Sequence, residues 1–327
     1  MDLQVYHIFR KDYDREMRGC SKKLKTQILS DLQEKWLVAK LGENDSRKKL
    51  RLLHTYQEIW ELHKMELVQS ISHNNLIFYA VSEKYGDVIF KILLNNGFDK
   101  EISALRSFQG SKFVSLYEYS LVDKIYLMER ITPGTTLFEG TTRNKRIEIL
   151  SDIFNELHPE PPENHMFPTY FDWFKSGEVG TRNRKDCDSI RSYLEKAEKT
   201  IFHINENYPH RLLLHGDLHH ENILKNGAEE YKVIDPKGVV GNPVFDLSRF
   251  ILDEFRDDLT SESKSTVIDF VQAVGDSVKI PCDTLLQCLF IETVIWLFRE
   301  ELSQGASLKE CEGLIANMKI ANELSAT

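Results

Sequence analysis

The sequence predicts an α+β protein of two lobes, in which an antiparallel sheet precedes a mostly helical half. Two observations carry that expectation. Short runs rich in β-branched and aromatic residues cluster between residues 67 and 131, and helical spacings dominate from residue 132 onward. Strands first and helices afterwards favour a segregated arrangement over an alternating doubly wound sheet. A chain of 327 residues has room for one large domain or two lobes. The expected division sets residues 1–131, a helical extension (1–66) and a sheet with one helix (67–131), against a helical lobe at 132–327.

From the N-terminus, Lys22–Val38 and Arg47–Leu62 carry apolar residues at mixed spacings of three and four among many charges. Both read as helices, broken at Gly42-Glu-Asn-Asp-Ser. Leu67–Ser72, Leu76–Ser82 and Asp87–Leu94 read as an antiparallel meander, since His73-Asn74-Asn75 and Glu83-Lys84-Tyr85-Gly86 have turn chemistry. A helix fits Lys100–Gln109, with Asp99 as N-cap and Gly110 as stop. Phe113–Ser120 and Lys124–Ile131 are two more strands, closed off by Thr132-Pro133-Gly134. Helical patterns follow at Arg143–Leu157, Asp188–Asn207, Asp246–Phe255, Ser263–Gly275, Asp283–Leu302 and Ser307–Leu324, interrupted by strand-like Ile223–Lys225 and Tyr231–Ile234.

Hydrophobic content of 41% and charged content of 28% are ordinary for a soluble globular protein. A net charge of −9 repels nucleic acid and suits a cationic or neutral small substrate. The five cysteines are scattered without metal-ligand spacing and read as reduced, buried thiols. The N-terminal residues lack a signal-peptide pattern, and Cys288–Phe298 is too short, and carries Glu292, to span a bilayer that needs about 20 apolar residues. The expectation is a cytoplasmic protein without membrane or nucleic-acid partners.

The chemistry concentrates in His215-Gly-Asp-Leu-His-His-Glu-Asn, which follows apolar Leu212–Leu214. Phosphoryl transfer to an alcohol needs an acceptor that aligns the hydroxyl, together with metal and cations on the phosphates. Asp217 offers the carboxylate, and Asn222 stands at the D-x-x-x-x-N spacing of a kinase catalytic loop, where the amide oxygen ligates Mg²⁺. Asp235 ends Tyr231–Ile234, is followed by Pro236, and adds a second hard oxygen ligand. One Asp before a turn is usually a cap; three such groups between apolar flanks point to a site. Lys91 lies in the otherwise apolar Val88-Ile-Phe-Lys-Ile-Leu-Leu, and a buried lysine must be paired or lose its charge. Glu101 shares an inward helical stripe with Leu105 and Phe108 and is its candidate partner. A lysine snorkelling from a strand edge is the plainer alternative.

Lys91, Glu101, Asp217, Asn222 and Asp235, in that order, resemble the bilobal protein-kinase-like fold in its aminoglycoside phosphotransferase branch. The loop at 215–222 resembles that of aminoglycoside and choline kinases. Ile234-Asp-Pro-Lys-Gly with Gly241-Asn-Pro-Val-Phe-Asp-Leu, and Glu129-Arg-Ile-Thr-Pro-Gly-Thr-Thr-Leu, resemble the streptomycin 6-kinase and hydroxyurea kinase group. The resemblance covers about residues 50–302 and is strongest at 212–250. It implies an ATP- and Mg²⁺-dependent kinase of a hydroxyl on a streptomycin-type aminoglycoside or hydroxyurea. Asp217 would be the base, Asn222 and Asp235 the Mg²⁺ ligands, and Lys91 the phosphate-binding lysine with Glu101 as partner. Backbone groups of Glu129 and Ile131 would meet the adenine. The chain departs from a protein kinase in its glycine-free turn Ile71-Ser-His-Asn-Asn-Leu, where Ser72 and Asn74 would donate to phosphate instead. It departs again in Asp235-Pro-Lys, with no activation segment before Asp246.

Other residues have bland readings. His215, His219 and His220 look like a zinc cluster, but His215 reads better as a brace for the loop, and His219 as structural or near the substrate. Asp246 reads as an N-cap or loop brace, Lys237 as a surface lysine, and Trp296 and Phe298 as core. Asp172, Glu178, Glu292, Glu300 and Glu301 are acidic candidates for a cationic substrate, with no spacing to choose among them. The alternatives are a kinase of another amino alcohol or sugar, and a non-catalytic binding module that keeps the fold; the complete polar set favours the enzyme.

Overall fold

The computed structural model describes residues 35, 37–39, 41–68, 75–94, 97–108, 110, 112–255 and 258–326. Most of the expected helix Lys22–Val38 lies outside these residues, as do Ser72 and Asn74. By its contacts the described chain forms two units, one of residues up to 95 with Tyr117–Glu129, the other of residues 96–116 with everything from Arg130 on.

In the first unit, helix α1 (Glu43–Ile59) starts directly after Gly42, with Glu43 and Asp45 in its first turn where the helix dipole favours acids. The break expected over 42–46 is therefore Gly42 alone. Ser46 is buried inside the helix and donates to the carbonyls of Leu37 at 3.0 Å and Gly42 at 2.6 Å. Strands β1 (Leu62–Val68), β2 (Asn75–Ser82), β3 (Gly86–Leu93), β4 (Leu116–Ser120) and β5 (Ile125–Glu129) form an antiparallel sheet in the order β1-β2-β3-β5-β4. Strand β2 alternates strictly between half-buried and buried residues, and β3 and β5 are buried throughout most of their length. A core of Leu53, Leu62, Phe78, Phe90, Ile92 and Leu127 joins α1 to one face. The helical pattern expected to reach Leu62 ends at Ile59, because Leu62 pairs with Ser82 and enters β1. Sheet pairing there outweighs a weak local periodicity.

The second unit holds α2 (Phe98–Ser107), α3 (Arg143–Leu157), α4 (Tyr170–Thr181), α5 (Arg191–Asn207), α6 (Val244–Glu254), α7 (Lys264–Val278), α8 (Cys282–Ile295) and α9 (Glu312–Leu324). Two small ladders interrupt the helices: β6 (Pro133–Thr136), β8 (Ile223–Asn226) and β9 (Glu230–Val233) form one, and β7 (Leu212–Leu214) with β10 (Val239–Gly241) the other. Helix α2 was expected with the sheet. Its contacts belong to the second unit, because Phe108, just past its end, stacks on Phe113 at 4.8 Å, and both rings flank His215. Asp99 sits in the first turn of α2 rather than capping it; Gly97 is the cap residue.

Helix α4 has no counterpart among the expected elements, since Gly177 and Gly180 weaken its pattern. Its start was written in Thr169-x-x-Asp172, a reciprocal capping box. Helix α8 is buried on nearly every side. The expected continuous helix to Leu302 stops at Ile295 and opens into a wide turn with π-type bonding over Trp296–Glu301. A Cβ on Gly177 would lie 3.0 Å from the Arg299 amide nitrogen and 3.2 Å from the Phe298 carbonyl carbon, so glycine lets α4 pack this close to that turn. Among the described residues no single helix is long and apolar enough to cross a membrane.

Candidate active site

The two ladders frame one loop. Strand β7 delivers the chain to His215, β8 takes it away after Asn222, and β9 and β10 return it alongside, with Leu214 opposite Val239 and Ile223 opposite Val233. Across the gap, the Lys237 amide donates to the His215 carbonyl at 2.8 Å and the Ile234 amide to the Asn222 carbonyl at 2.9 Å. Asp217, Asn222 and Asp235 are thereby brought onto adjacent backbone.

Each turn in this loop is held by a buried side chain. Asp246, in the first turn of α6, accepts from the His215 amide at 2.7 Å and the Gly216 amide at 2.8 Å, and takes the His158 Nε2 at 3.0 Å. It is a brace, not a helix cap. His215 is fully buried; its Nε2 donates to the Ile234 carbonyl at 2.7 Å and its Nδ1 accepts from the Asp217 amide at 3.2 Å. Those partners set a neutral ring protonated on Nε2, and burial pulls its pKa below the ordinary value. Gly216 has φ near 79°, and a Cβ there would meet the Trp173 ring at 2.7 Å. His220 instead places both ring nitrogens on carboxylates, Asp253 at 2.7 Å and Glu254 at 3.0 Å. Burial opposes its charge, but the two acids win and raise its pKa. Glu254 is also gripped by Arg146 through two bonds and by Arg143 at 2.8 Å. Burial pushes this carboxyl up, yet His220 and the two arginines hold it down at about 2. His215 and His220 thus spend their ring nitrogens on different protein partners.

Asp217 faces a pocket of about 400 Å³ within the second unit. Arg249 Nε donates to its Oδ1 at 3.1 Å, Lys237 Nζ stands 3.6 Å from Oδ2, and His219 Nε2 lies 3.8 Å from Oδ1. Burial pushes the Asp217 carboxyl up, but Arg249, His219 and Lys237 outweigh it and hold it below the usual carboxylate range. The side chain is ionised at neutral pH and about one-fifth exposed, open to a reactant. Asn222 is buried, and its amide nitrogen donates to the Asp217 carbonyl at 2.9 Å, which leaves its oxygen as the atom it can offer. Asp235 follows β9 with φ near 57°, a left-handed conformation that costs a non-glycine residue on the order of 1–3 kcal/mol and collects at functional sites.

One amide oxygen and one carboxylate are hard donors and fit Mg²⁺, which takes one or two protein ligands and completes its octahedron with water and phosphate. Among the described residues no group of three or more His, Cys, Asp and Glu has metal-binding geometry, so nothing here resembles a dedicated all-protein cage.

Lys91 is buried at the centre of β3, in register with Ile77 and Tyr126, its Nζ 5.5 Å from the Tyr126 ring centroid. Glu101 is half-buried in the first turn of α2. Lys91 belongs to the first unit and Glu101 to the second. Glu129 ends β5 opposite Val88, and Ile131 is buried. Of the acidic candidates, Glu292, Glu300 and Glu301 line the pocket. Asp172 is consumed by the α4 capping box and Glu178 by Lys175. Glu292 bonds the Tyr170 hydroxyl at 2.9 Å, and burial raises its pKa.

Sequence reasoning missed Arg249, Trp173, Lys100 and Arg299 and misjudged Trp296, all of which line the pocket. The Arg249 guanidinium lies 3.9 Å from the Trp296 ring centroid, so this tryptophan is a pocket wall rather than core; Phe298 is buried core. A signal for Arg249 existed, a lone cation in the apolar run Val244–Leu252, which is the logic applied to Lys91. Lys237, read as a surface residue, is half exposed but reaches Asp217.

The sequence pattern of the aminoglycoside/hydroxyurea antibiotic resistance kinases matches residues 77–297. Streptomycin 6-kinase of Streptomyces griseus is 26% identical over 149 residues, 44% of this chain and 47% of that protein, so the match spans about half of the relative's length. The fold is similar to choline kinase LicA of Streptococcus pneumoniae (TM-score 0.56, 16% identity, 86% of this chain and 99% of that one). It is also similar to a thermostable mutant of the aminoglycoside phosphotransferase APH(4)-Ia in ternary complex with AMP-PNP and hygromycin B (TM-score 0.57, 13% identity, 90% and 97%).

Proposed function

The chain belongs to the aminoglycoside/hydroxyurea antibiotic resistance kinase family, and on that premise we propose that it transfers the γ-phosphate of ATP, with Mg²⁺, to a hydroxyl of a small molecule bound beside Asp217. The observation that carries this reading is the ionised Asp217 carboxylate facing a pocket, with the Asn222 oxygen and Asp235 on the adjoining backbone. The nucleotide held in the APH(4)-Ia complex supports the choice of ATP.

In a loose phosphoryl-transfer transition state the bond to the attacking oxygen is barely formed, so the hydroxyl proton becomes acidic only late. A carboxylate held below its usual pKa suits that course. Asp217 aligns the acceptor hydroxyl by taking its hydrogen bond, and receives the proton as the new P–O bond forms and the bond to ADP breaks. Arg249 fixes the orientation of Asp217, and Asn222, bonded to the Asp217 backbone carbonyl, ties that position to the oxygen offered to the cation. Asn222 and Asp235 would hold Mg²⁺, which would supply positive charge to offset that of the phosphates. Lys91, the buried lysine of β3, takes the role of phosphate-binding lysine. The family relation puts streptomycin-type aminoglycosides and hydroxyurea first among acceptors, and choline and ethanolamine kinases among the fold neighbours add amino alcohols. The reading carries a cytoplasmic setting, where Mg-ATP is supplied.

The test is ADP release from Mg-ATP with streptomycin, hydroxyurea, hygromycin B, choline and ethanolamine, in the wild type and in Asp217→Asn. We expect turnover with at least one hydroxyl acceptor and a loss of about 10²–10⁴ in kcat for the variant, with nucleotide affinity near normal. Wild-type turnover in Asp217→Asn would remove the assignment of Asp217.

A further inference from the structure

The pocket at Asp217 mixes charges of both signs: the cations Lys100, Lys237, Arg249 and Arg299 line it together with the carboxylates Asp217, Glu292, Glu300 and Glu301. Arg249 and Lys237 are committed to Asp217. Arg299 pairs with the neighbouring Glu300 and stacks on Trp173, its guanidinium 4.3 Å from the ring centroid. Lys100, from α2, lies on the same indole, with Nζ 6.0 Å from the centroid, and is half-buried. Among the described residues no carboxylate pairs with it; its charged neighbours are Arg299 and Lys237, which together with burial pull its pKa down. An ammonium half out of water, facing two like charges, is stabilised by an anion placed between them. The wide turn Trp296–Glu301 supplies Arg299 to this spot, and such turns recur where a helix is bent to serve a ligand.

We propose that Lys100 and Arg299, on the Trp173 indole, form an oxyanion subsite that reads a carboxylate or phosphate group carried by the acceptor. The acceptor is then a hydroxy compound with an anionic group, and any amine on it meets Glu300 and Glu301 on the same lining. This rests on the reading that the pocket beside Asp217 is the acceptor site. The same oxyanion chemistry could come from the terminal phosphate of the nucleotide, and the test separates the two.

Inorganic phosphate and malonate are titrated calorimetrically into the full chain, with and without saturating Mg-AMP-PNP, in the wild type, Lys100→Gln and Lys100→Arg. The expected result is binding of at least one anion to the wild type in both conditions. That affinity falls about tenfold or more in Lys100→Gln and is largely kept in Lys100→Arg. Absence of anion binding to the wild type, or equal affinity in Lys100→Gln, overturns the subsite. Loss of anion binding when AMP-PNP is present also overturns it, assigning these cations to the nucleotide's phosphate. Failure of Mg-AMP-PNP itself to bind counts against the kinase reading instead, and the titrations without nucleotide still decide the subsite.

Discussion

The five-stranded sheet of the first unit and the paired ladders around residues 212–241 are both antiparallel β structure, yet opposite forces hold them. The sheet rests on apolar burial: Phe78 and Phe90 are fully buried, 6.0 Å apart, and Trp60 meets Phe90 edge-on at 5.7 Å. The ladders are three or four residues long and pin their loop with buried charge, through Asp246 on one side and the His220–Glu254–Arg146 cluster on the other. Apolar packing is non-directional and tolerates small shifts. Buried ionic hydrogen bonds are directional, and a lost partner leaves an uncompensated charge. A loop that must present Asp217 and Asn222 in one geometry is built from the second kind of contact.

That contrast can be broken most directly by comparing Phe90→Ala with Glu254→Gln. Each is expected to cost about 3–5 kcal/mol in denaturant unfolding, the first by leaving a cavity, the second by stranding Arg146 and His220. Their pH dependence should differ. The Glu254 pKa lies below its ordinary 4.5, so its contribution is complete above that value and is lost as the pH falls towards about 2. The His220 pKa lies above its ordinary 6.5, so its contribution is complete below 6.5 and is lost as the pH rises through the folded-state value. The penalty of Glu254→Gln should therefore shrink in acid while that of Phe90→Ala stays level. Parallel curves for the two variants would end the distinction.

A smaller effect is expected from Asp246→Asn. The amide has one acceptor oxygen where the carboxylate serves the amides of both His215 and Gly216, so one is left unmet, at about 1–3 kcal/mol. Because those amides shape the approach to Asp217, kcat should fall more than nucleotide affinity, as steady-state kinetics beside nucleotide titration would reveal. An intact kcat would make Asp246 a stability element only. The smallest change belongs to Tyr56→Phe in the sheet unit, which removes the bond from Tyr56 to Asp123 at 2.7 Å. A loss of about 1 kcal/mol is expected in denaturant unfolding. A loss as large as that of Phe90→Ala would mean that polar ties also carry the first unit.

The candidate site loop could be read from the sequence because its residues are neighbours along the chain. His215, Gly216, Asp217 and Asn222 lie within one turn, and the spacing of Asp217 to Asn222 sets their relation before any packing is known. The strands β2, β3 and β5 were legible for a similar reason, since burial on one or both faces leaves an alternating or continuous apolar run. Of the short strands, β8 and β9 showed as strand-like runs, while β6, which opens on Pro133-Gly134, and β7 and β10, of three residues each, were not identified as strands. Nor did periodicity reveal that α8 gives way at Ile295, because a helix buried on nearly every side has no stripe whose phase could slip.

The order of residues along the chain was enough to name the groups capable of the chemistry and the turns that present them, because turn geometry and short spacings act over a few residues. It could not assemble the pocket. Lys100, Trp173, Arg249 and Arg299 come from α2, α4, α6 and the turn after α8, and no local pattern relates them. Their meeting depends on ladder register, on glycines that let α4 approach the turn, and on the charges that become tolerable only when packed together. Those are properties of distant segments in contact, and they decide what the loop can bind.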